Sequence, residues 1–288
     1  MNNWTKKPLI EVADFILGKM LDKAKNKGSL MPYLANFNVQ WGRFDLSHLN
    51  KMRFTEDELK KFSIKFGDIL MCEGGEAGRC AYWKESNSSI LFQKAIHRIR
   101  VFSEVDSAYL YYYFLDFGKK NGFEPYTTGS TIKHLPREQL AKIEISYPDI
   151  KQQKFISAIL LKYDDLIQTN QQRIALLEEA AQRLYDEWFV KLRFPNHEQV
   201  PVVDGVPEGW AIKTLEQIAF IEMGQSPESK YYNSDGEGLP FHQGVSDFTH
   251  RFVENSVHTS SYTRLANAGD ILCSVRAPVG RLNITLDN

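Results

Sequence analysis

Gly67-Asp68-Ile69-Leu70-Met71-Cys72-Glu73-Gly74-Gly75-Glu76-Ala77-Gly78-Arg79 returns later in the same chain as Gly269-Asp270-Ile271-Leu272-Cys273-Ser274-Val275-Arg276-Ala277-Pro278-Val279-Gly280-Arg281. Two further anchors keep the same order at nearly the same spacing. Leu9-Ile10-Glu11-Val12-Ala13 with Gly18-Lys19 matches Leu215-Glu216-Gln217-Ile218-Ala219 with Gly224-Gln225, and Met31-Pro32-Tyr33 matches Leu239-Pro240-Phe241. Three ordered anchors at one spacing are hard to obtain by chance, so the pattern is a duplicated domain. Each copy mixes short apolar runs with Gly and Pro turns, which predicts strands joined by loops, with helices such as Ser107 to Phe117 between them. The expected class is α+β.

Between the copies, Ile156, Leu160, Tyr163, Ile167, Asn170, Ile174, Leu177, Ala181, Leu184 and Trp188 follow a 4,3 spacing that no Pro or Gly interrupts, the a/d seam of a coiled coil. A continuous helix from about Lys151 to Lys191 would be roughly 60 Å long, too long to be buried within either flanking domain. Asn170, the one amide on the seam, fixes register if it meets a polar partner; otherwise it is a solvated residue. Pro195, Pro201, Asp204-Gly205 and Pro207 then end the helix in a turn-rich linker. The expected organisation is a first domain over 1–149, a spacer helix over 150–193, a linker over 194–210 and a second, partial domain over 211–288. The second copy is expected to be partial because the residues after Arg281 are fewer than those that complete the first copy after Arg79.

The 288 residues are ample for two packed domains, and a formal net charge of -1 places any nucleic-acid surface in a local patch. Without an apolar leader or membrane-length run, a cytoplasmic, soluble protein is expected. The three cysteines, Cys72, Cys80 and Cys273, fit neither a disulfide framework nor a zinc pattern. Catalytic constellations are missing too. There is no Asn-Pro-Pro methyltransferase loop and no G-x4-G-K-[ST] phosphate cradle. Glu58-Leu59-Lys60 and Glu228-Ser229-Lys230 have the E-x-K spacing of metal nucleases, but they lack an upstream Asp in strand context and are short enough to arise by chance. Neither a catalytic residue nor a metal site is expected.

Several local motifs carry a resemblance. They are the two Gly-Asp-Ile-Leu strands, Tyr126-Thr127-Thr128-Gly129-Ser130-Thr131-Ile132-Lys133-His134-Leu135, the helix entry Pro148-Asp149-Ile150-Lys151-Gln152-Gln153, and Pro207-Glu208-Gly209-Trp210. In this order, around a heptad helix, the chain resembles the specificity subunits of type I restriction-modification systems. The resemblance implies a target recognition domain, a spacer helix and a partial second target recognition domain. It implies a non-catalytic subunit that reads one half of a bipartite double-stranded DNA target and docks methyltransferase (modification) subunits and, through them, restriction/translocase subunits. No cofactor is then expected in this chain; S-adenosylmethionine, ATP and Mg2+ belong to the partner subunits. A homodimer through the spacer helix would supply a second reading domain. Two alternatives stand beside this: the recognition subunit of a two-subunit or fused type II-like restriction enzyme, and a coiled-coil assembly protein that binds no DNA.

DNA readers need cations for phosphates and Arg, Asn or Gln for base edges. Lys19, Lys23, Lys25 and Lys27 form a basic stretch suited to phosphate contact, or else a solvated face. Thr128, Gly129, Ser130, Thr131, Lys133 and His134 form a hydroxyl-rich loop with a cationic end, where N–H and O–H groups can hold a phosphate or cap a turn. Arg79 recurs as Arg281, which marks either a shared contact or a shared structural pair. Gln40, Trp41 and Arg43 have unlike counterparts in the second copy, as base-reading residues should, although Trp41 is also a natural core residue. Tyr185, Trp188 and Phe189, after Glu178 and Glu179, are candidate anchors for a methyltransferase subunit or for a flanking domain.

Overall fold

The computed structural model describes residues 4–22, 26–86 and 89–286. Its contacts divide the chain into residues 1–185 and 186–288.

In the first unit, β1 (Thr5–Pro8), α1 (Leu9–Val12), β2 (Ala13–Leu17), β3 (Ser29–Leu34), β4 (Val39–Gln40), β5 (Arg43–Phe44), β6 (Asn50–Phe54) and α2 (Glu56–Lys61) precede the first Gly-Asp-Ile-Leu motif. That motif opens β7 (Ile69–Cys72), followed by β8 (Cys80–Tyr82), β9 (Leu91–Phe92), β10 (Ile96–Val101), α3 (Ser107–Lys119), α4 (Arg137–Leu140), β11 (Glu144–Tyr147) and α5 (Ile150–Tyr185). The main sheet runs β2-β10-β7-β8, all antiparallel, and a second sheet runs β6-β3-β9.

The central strand explains the layering. Every residue of β7 is buried, and successive side chains point to opposite faces. Ile69 and Met71 join Phe15, Ile99, Leu110 and Phe114 in one core under α3, while Leu70 and Cys72 join Leu34, Phe54, Trp83 and Phe92 in the other. A sheet covered on both sides reads as a continuous apolar run, as Ile-Leu-Met-Cys does. α3 starts where Asp106 Oδ1 accepts Tyr109 N–H at 2.9 Å.

α5 is tied to that same helix start. Asp149 Oδ1 accepts the N–H groups of Lys151 and Gln152 at 2.9 and 3.2 Å. Gln153, fully buried, accepts Asp106 N–H at 2.8 Å and donates to Pro148 O at 2.8 Å and Glu104 O at 3.2 Å. One amide thus satisfies groups from two helix starts, and Asp164 accepts the Tyr112 hydroxyl at 2.7 Å further along. Beyond Asp164 the helix leaves the body: Ile156 and Leu160 are half-buried, but from Tyr163 to Leu184 every seam residue is exposed, Leu177 at 69%. The expected continuous seam stops short of Trp188, because Asp186–Val190 is a π-helical turn in which Lys191 N–H reaches Asp186 O at 2.8 Å. That extra residue per turn breaks the 4,3 register.

The second unit opens on a small hairpin. β12 (Val202–Val203) pairs with β13 (Val206–Pro207) through Asp204-Gly205, both at positive φ, the two-residue turn that suits the strand twist. Trp210 packs against Phe194 and Phe189 with ring centroids 5.3 and 5.8 Å apart. The stretch expected as a plain linker therefore holds an aromatic cluster of its own. Then follow α6 (Leu215–Ile218), β14 (Tyr232–Asn233), β15 (Leu239–Pro240), β16 (His258–Thr259), β17 (Ile271–Cys273) and β18 (Leu282–Ile284), with sheets β14-β16-β15 and β17-β18. No helix among the described residues is long and apolar enough to cross a membrane.

Candidate nucleic-acid interface

Three segments of the first unit meet at one surface. The first is the β4–β5 hairpin, where Gln40 pairs with Arg43 across Trp41-Gly42. Asn38, buried beneath it, accepts Ala35 N–H at 2.9 Å and donates to Asp45 O and His48 O at 2.8 and 2.9 Å, so both sides of the hairpin hang on one amide. Gly42 N–H donates to Cys80 O at 3.0 Å, and the Tyr111 hydroxyl donates to Gly42 O at 3.3 Å. These bonds pin the tip to β8 and α3. The Trp41 ring lies so close to Gly118 that a Cβ there would come within 2.2 Å of Cη2.

The second segment is the β7–β8 turn. Its backbone is closed by Cys72 N–H to Arg79 O at 2.8 Å and Gly78 N–H to Cys72 O at 3.0 Å. Glu76 sits exposed on it, with Oε1 accepting the Trp41 indole N–H and Oε2 lying 3.3 Å from Arg79 Nη1. An open cleft of about 450 Å3 beside it is lined by Trp41, Gly42, Glu76, Leu115, Gly118 and Lys119.

The third segment is the hydroxyl-rich loop. Thr128 and His134 exchange backbone bonds of 2.8 Å in both directions, so Gly129, Ser130, Thr131, Ile132 and Lys133 form a closed, exposed tip. The loop is tied to the turn by Leu135 N–H to Glu73 O at 2.6 Å and by the His134 ring lying over Gly74, where a Cβ would come within 2.8 Å of Nδ1. Underneath, fully buried His97 donates from Nε2 to Leu135 O at 2.8 Å, and its buried Nδ1 has no hydrogen-bond partner among the described residues. Burial pushes the His97 imidazole down to about 4, so the ring is neutral at physiological pH.

The candidate residues divide accordingly. Gln40, Trp41 and Arg43 on the hairpin and Thr128, Gly129, Ser130, Thr131, Lys133 and His134 on the loop are brought to the β7–β8 turn by the segments that carry them; Gln40 Nε2 donates to Phe37 O at 2.7 Å, and Lys133 pairs with Glu124. Lys19 is a correction. It is 4% exposed, its ammonium donates to Arg53 O at 2.8 Å and Glu58 Oε2 at 2.6 Å and lies over the Phe54 ring, so it is a buried structural cation and not a phosphate contact. The local sequence showed only a run of lysines; the partner Glu58 is far away in the chain. That ion pair also gives Glu58 a structural task, as does its bond from Thr55 N–H at 2.9 Å, and the E-x-K motif around it is a helix cap. Arg79 is a second correction: its side chain is largely buried and donates to Asn36 O at 2.9 Å, so it braces the turn from behind. Lys23 and Lys25 lie outside the described residues, and Lys27 is exposed. No group of three or more His, Cys, Asp or Glu among the described residues is placed to hold a metal.

The sequence analysis passed over Glu76, Gly74 and His97. The repeat itself carries a signal for the first two, since Glu73-Gly74-Gly75-Glu76 stands opposite Val275-Arg276-Ala277-Pro278 while Gly67-Asp68-Ile69-Leu70 and Gly78-Arg79 recur unchanged.

Residues 1–179 match the family model described as the type I restriction modification DNA specificity domain. The chain is 27% identical over 292 residues to a protein of Methanocaldococcus jannaschii named as the type I restriction enzyme MjaX specificity subunit, covering 98% of this chain and 68% of that one. It is 29% identical over 195 residues to the MjaIX specificity subunit of the same organism, covering 65% of this chain and 44% of that one. The crystal structure of the type I restriction-modification S subunit from M. genitalium superposes with a TM-score of 0.57 at 17% identity, over all of this chain and 70% of that one, which supports the α+β fold with its long helix. The family match spans the hairpin, the turn, the loop and the greater part of α5, and the chain belongs to the DNA specificity subunits of type I restriction-modification systems.

Proposed function

We propose that this chain is a non-catalytic, sequence-specific DNA-binding subunit whose first domain reads one half of a bipartite target and which docks methyltransferase subunits. The observation that carries the reading is the convergence of hairpin, turn and loop. The half-buried amide of Gln40 and the exposed groups of Arg43, Ser130, Thr131 and Lys133 lie on the two segments that contact the β7–β8 turn, and their backbone is tied by hydrogen bonds. Phosphate contacts fix position and base-edge contacts carry sequence, and these residues offer groups for both. S-adenosylmethionine, ATP and Mg2+ are assigned to partner subunits.

The exposed seam of α5 supports a second element of the proposal, pairing with another helix. Ile167, Ile174, Leu177 and Leu184 are all about half exposed or more in the isolated chain, and apolar stripes of that length are covered in coiled coils. A second copy of this chain, antiparallel, is the proposed occupant; a clean monomer in sedimentation at micromolar concentration overturns that element. DNA reading is tested by selection from random duplexes at low salt, with and without a co-expressed modification subunit. Enrichment of one interrupted motif is expected, and no enrichment under either condition removes the proposal.

A further inference from the structure

Glu76 is out of place on a surface meant for phosphates. A carboxylate there repels every nearby phosphate over about a Debye length, roughly 8–10 Å at ordinary ionic strength. Yet it is held outward: the Trp41 indole N–H binds one oxygen and Arg79 Nη1 lies 3.3 Å from the other. Arg79 is itself fixed by Asn36 O, and Trp41 by its seat on Gly118. A carboxylate offers about four acceptor positions, so each oxygen keeps a lone pair for a ligand after these two bonds. The lone pairs adjoin an open cleft of about 450 Å3.

The duplicated turn adds an independent argument. Ser274 N–H to Arg281 O at 2.9 Å and Gly280 N–H to Ser274 O at 2.8 Å repeat the bonds that close the first turn. Between those two retained bonds Glu73-Gly74-Gly75-Glu76 has become Val275-Arg276-Ala277-Pro278, with two acids lost and a base gained. Retained closing bonds with exchanged residues at the tip between them are what two domains reading different half-sites require. Two base edges present an amine donor in the major groove, cytosine N4 and adenine N6; adenine sets its amine beside the N7 acceptor, which suits an amide, so the group matched to an acceptor-only carboxylate is the cytosine N4 amine.

The geometry points to Glu76 as a specificity-determining residue that accepts a hydrogen bond from the exocyclic amine of a cytosine in the half-site, with Trp41 and Arg79 as its positioning residues. The inference rests on the proposal that this face reads DNA. Its test uses the full chain with its modification subunit, in duplex selection followed by titration of the selected duplex and single-base variants. In the wild type, replacing one C·G pair by T·A lowers affinity about tenfold or more. Glu76→Ala, which removes the acceptor, brings that ratio close to one at that position alone, and its binding to random duplex at low salt is unchanged or tighter because a negative charge is gone. Trp41→Phe keeps the ring, frees the carboxylate and gives a smaller loss of preference at the same position. Unaltered preference at every position in Glu76→Ala, or equal weakening on all sequences, overturns the inference while leaving DNA reading intact. A wild-type chain that selects no motif removes the DNA reading and this inference together.

Discussion

The two Gly-Asp-Ile-Leu copies share a backbone almost bond for bond and differ in what surrounds them. Gly67 N–H to Trp83 O at 2.9 Å and Trp83 N–H to Asp68 O at 2.9 Å recur as Gly269 N–H to Thr285 O at 2.8 Å and Thr285 N–H to Asp270 O at 3.1 Å. Asp68 Oδ2 accepts Lys65 N–H at 2.7 Å, and Asp270 Oδ2 accepts Asn267 N–H at 2.8 Å. Ile69 faces Tyr82 as Ile271 faces Ile284. Yet Ile69 is 0% exposed and Ile271 is 67% exposed. In the first copy β10 pairs with both β2 and β7, and α3 packs over the sheet. Among the described residues of the second unit, β17 and β18 gain no third strand beyond a single bridge of Phe252 to Ile284. Local hydrogen bonding therefore builds the turn in either setting, and burial is conferred by elements far away in sequence.

The largest test of that contrast is truncation of the matched isoleucines. Ile69→Ala removes a fully buried side chain and should cost about 2–5 kcal/mol in urea unfolding, whereas Ile271→Ala should stay within about 0.5 kcal/mol. Equal costs would break the comparison and mean that Ile271 is covered in solution.

A pH titration singles out the first unit next. His97 has its folded-state pKa pushed down to about 4 by burial, below an unfolded value of about 6.5. Between those values the unfolded chain binds the extra proton, so stability rises with pH across that window and is lost as pH falls from about 6.5 to about 4, by up to about 3 kcal/mol. His97→Gln should flatten that limb, and an unchanged limb would assign the acid sensitivity to another group.

The paired aspartates give a smaller contrast. Asp68 binds Arg100 through Nε and Nη2, both at 2.7 Å, in addition to its turn bond. Among the described residues the Asp270 carboxylate makes only turn bonds, to Asn267. Asp68→Asn should cost about 2 kcal/mol and Asp270→Asn about 1 kcal/mol or less, by equilibrium unfolding of each variant. The smallest effect belongs to the exposed loop. Lys133→Ala should leave stability within about 0.5 kcal/mol, weaken binding to all duplexes about equally and reduce the slope of log affinity against log salt by about 1. An unchanged slope would take Lys133 off the DNA.

The same contrast explains which residues were legible. The helix entry Pro148-Asp149-Ile150-Lys151-Gln152-Gln153 is written in adjacent residues, and the structure has Asp149 Oδ1 accepting the N–H groups of Lys151 and Gln152 at 2.9 and 3.2 Å. Lys19, by contrast, looks like one of a run of surface lysines, and only the fold brings Glu58 and Arg53 O around it. Arg79 and Glu76 follow the same rule, since the groups that turn one inward and hold the other outward, Asn36 O and the Trp41 indole, come from the short helical turn after β3 and from the hairpin.

By itself the sequence determined the duplication, the α+β class, the Gly-Asp turns and the heptad helix, because each depends on residues a few positions apart whose bonds close locally. The tertiary structure alone decided which copy of the apolar strand is covered, which cations are consumed inside the fold, and that hairpin and loop meet at the β7–β8 turn. Those outcomes depend on contacts between segments tens of residues apart, whose meeting no local pattern encodes.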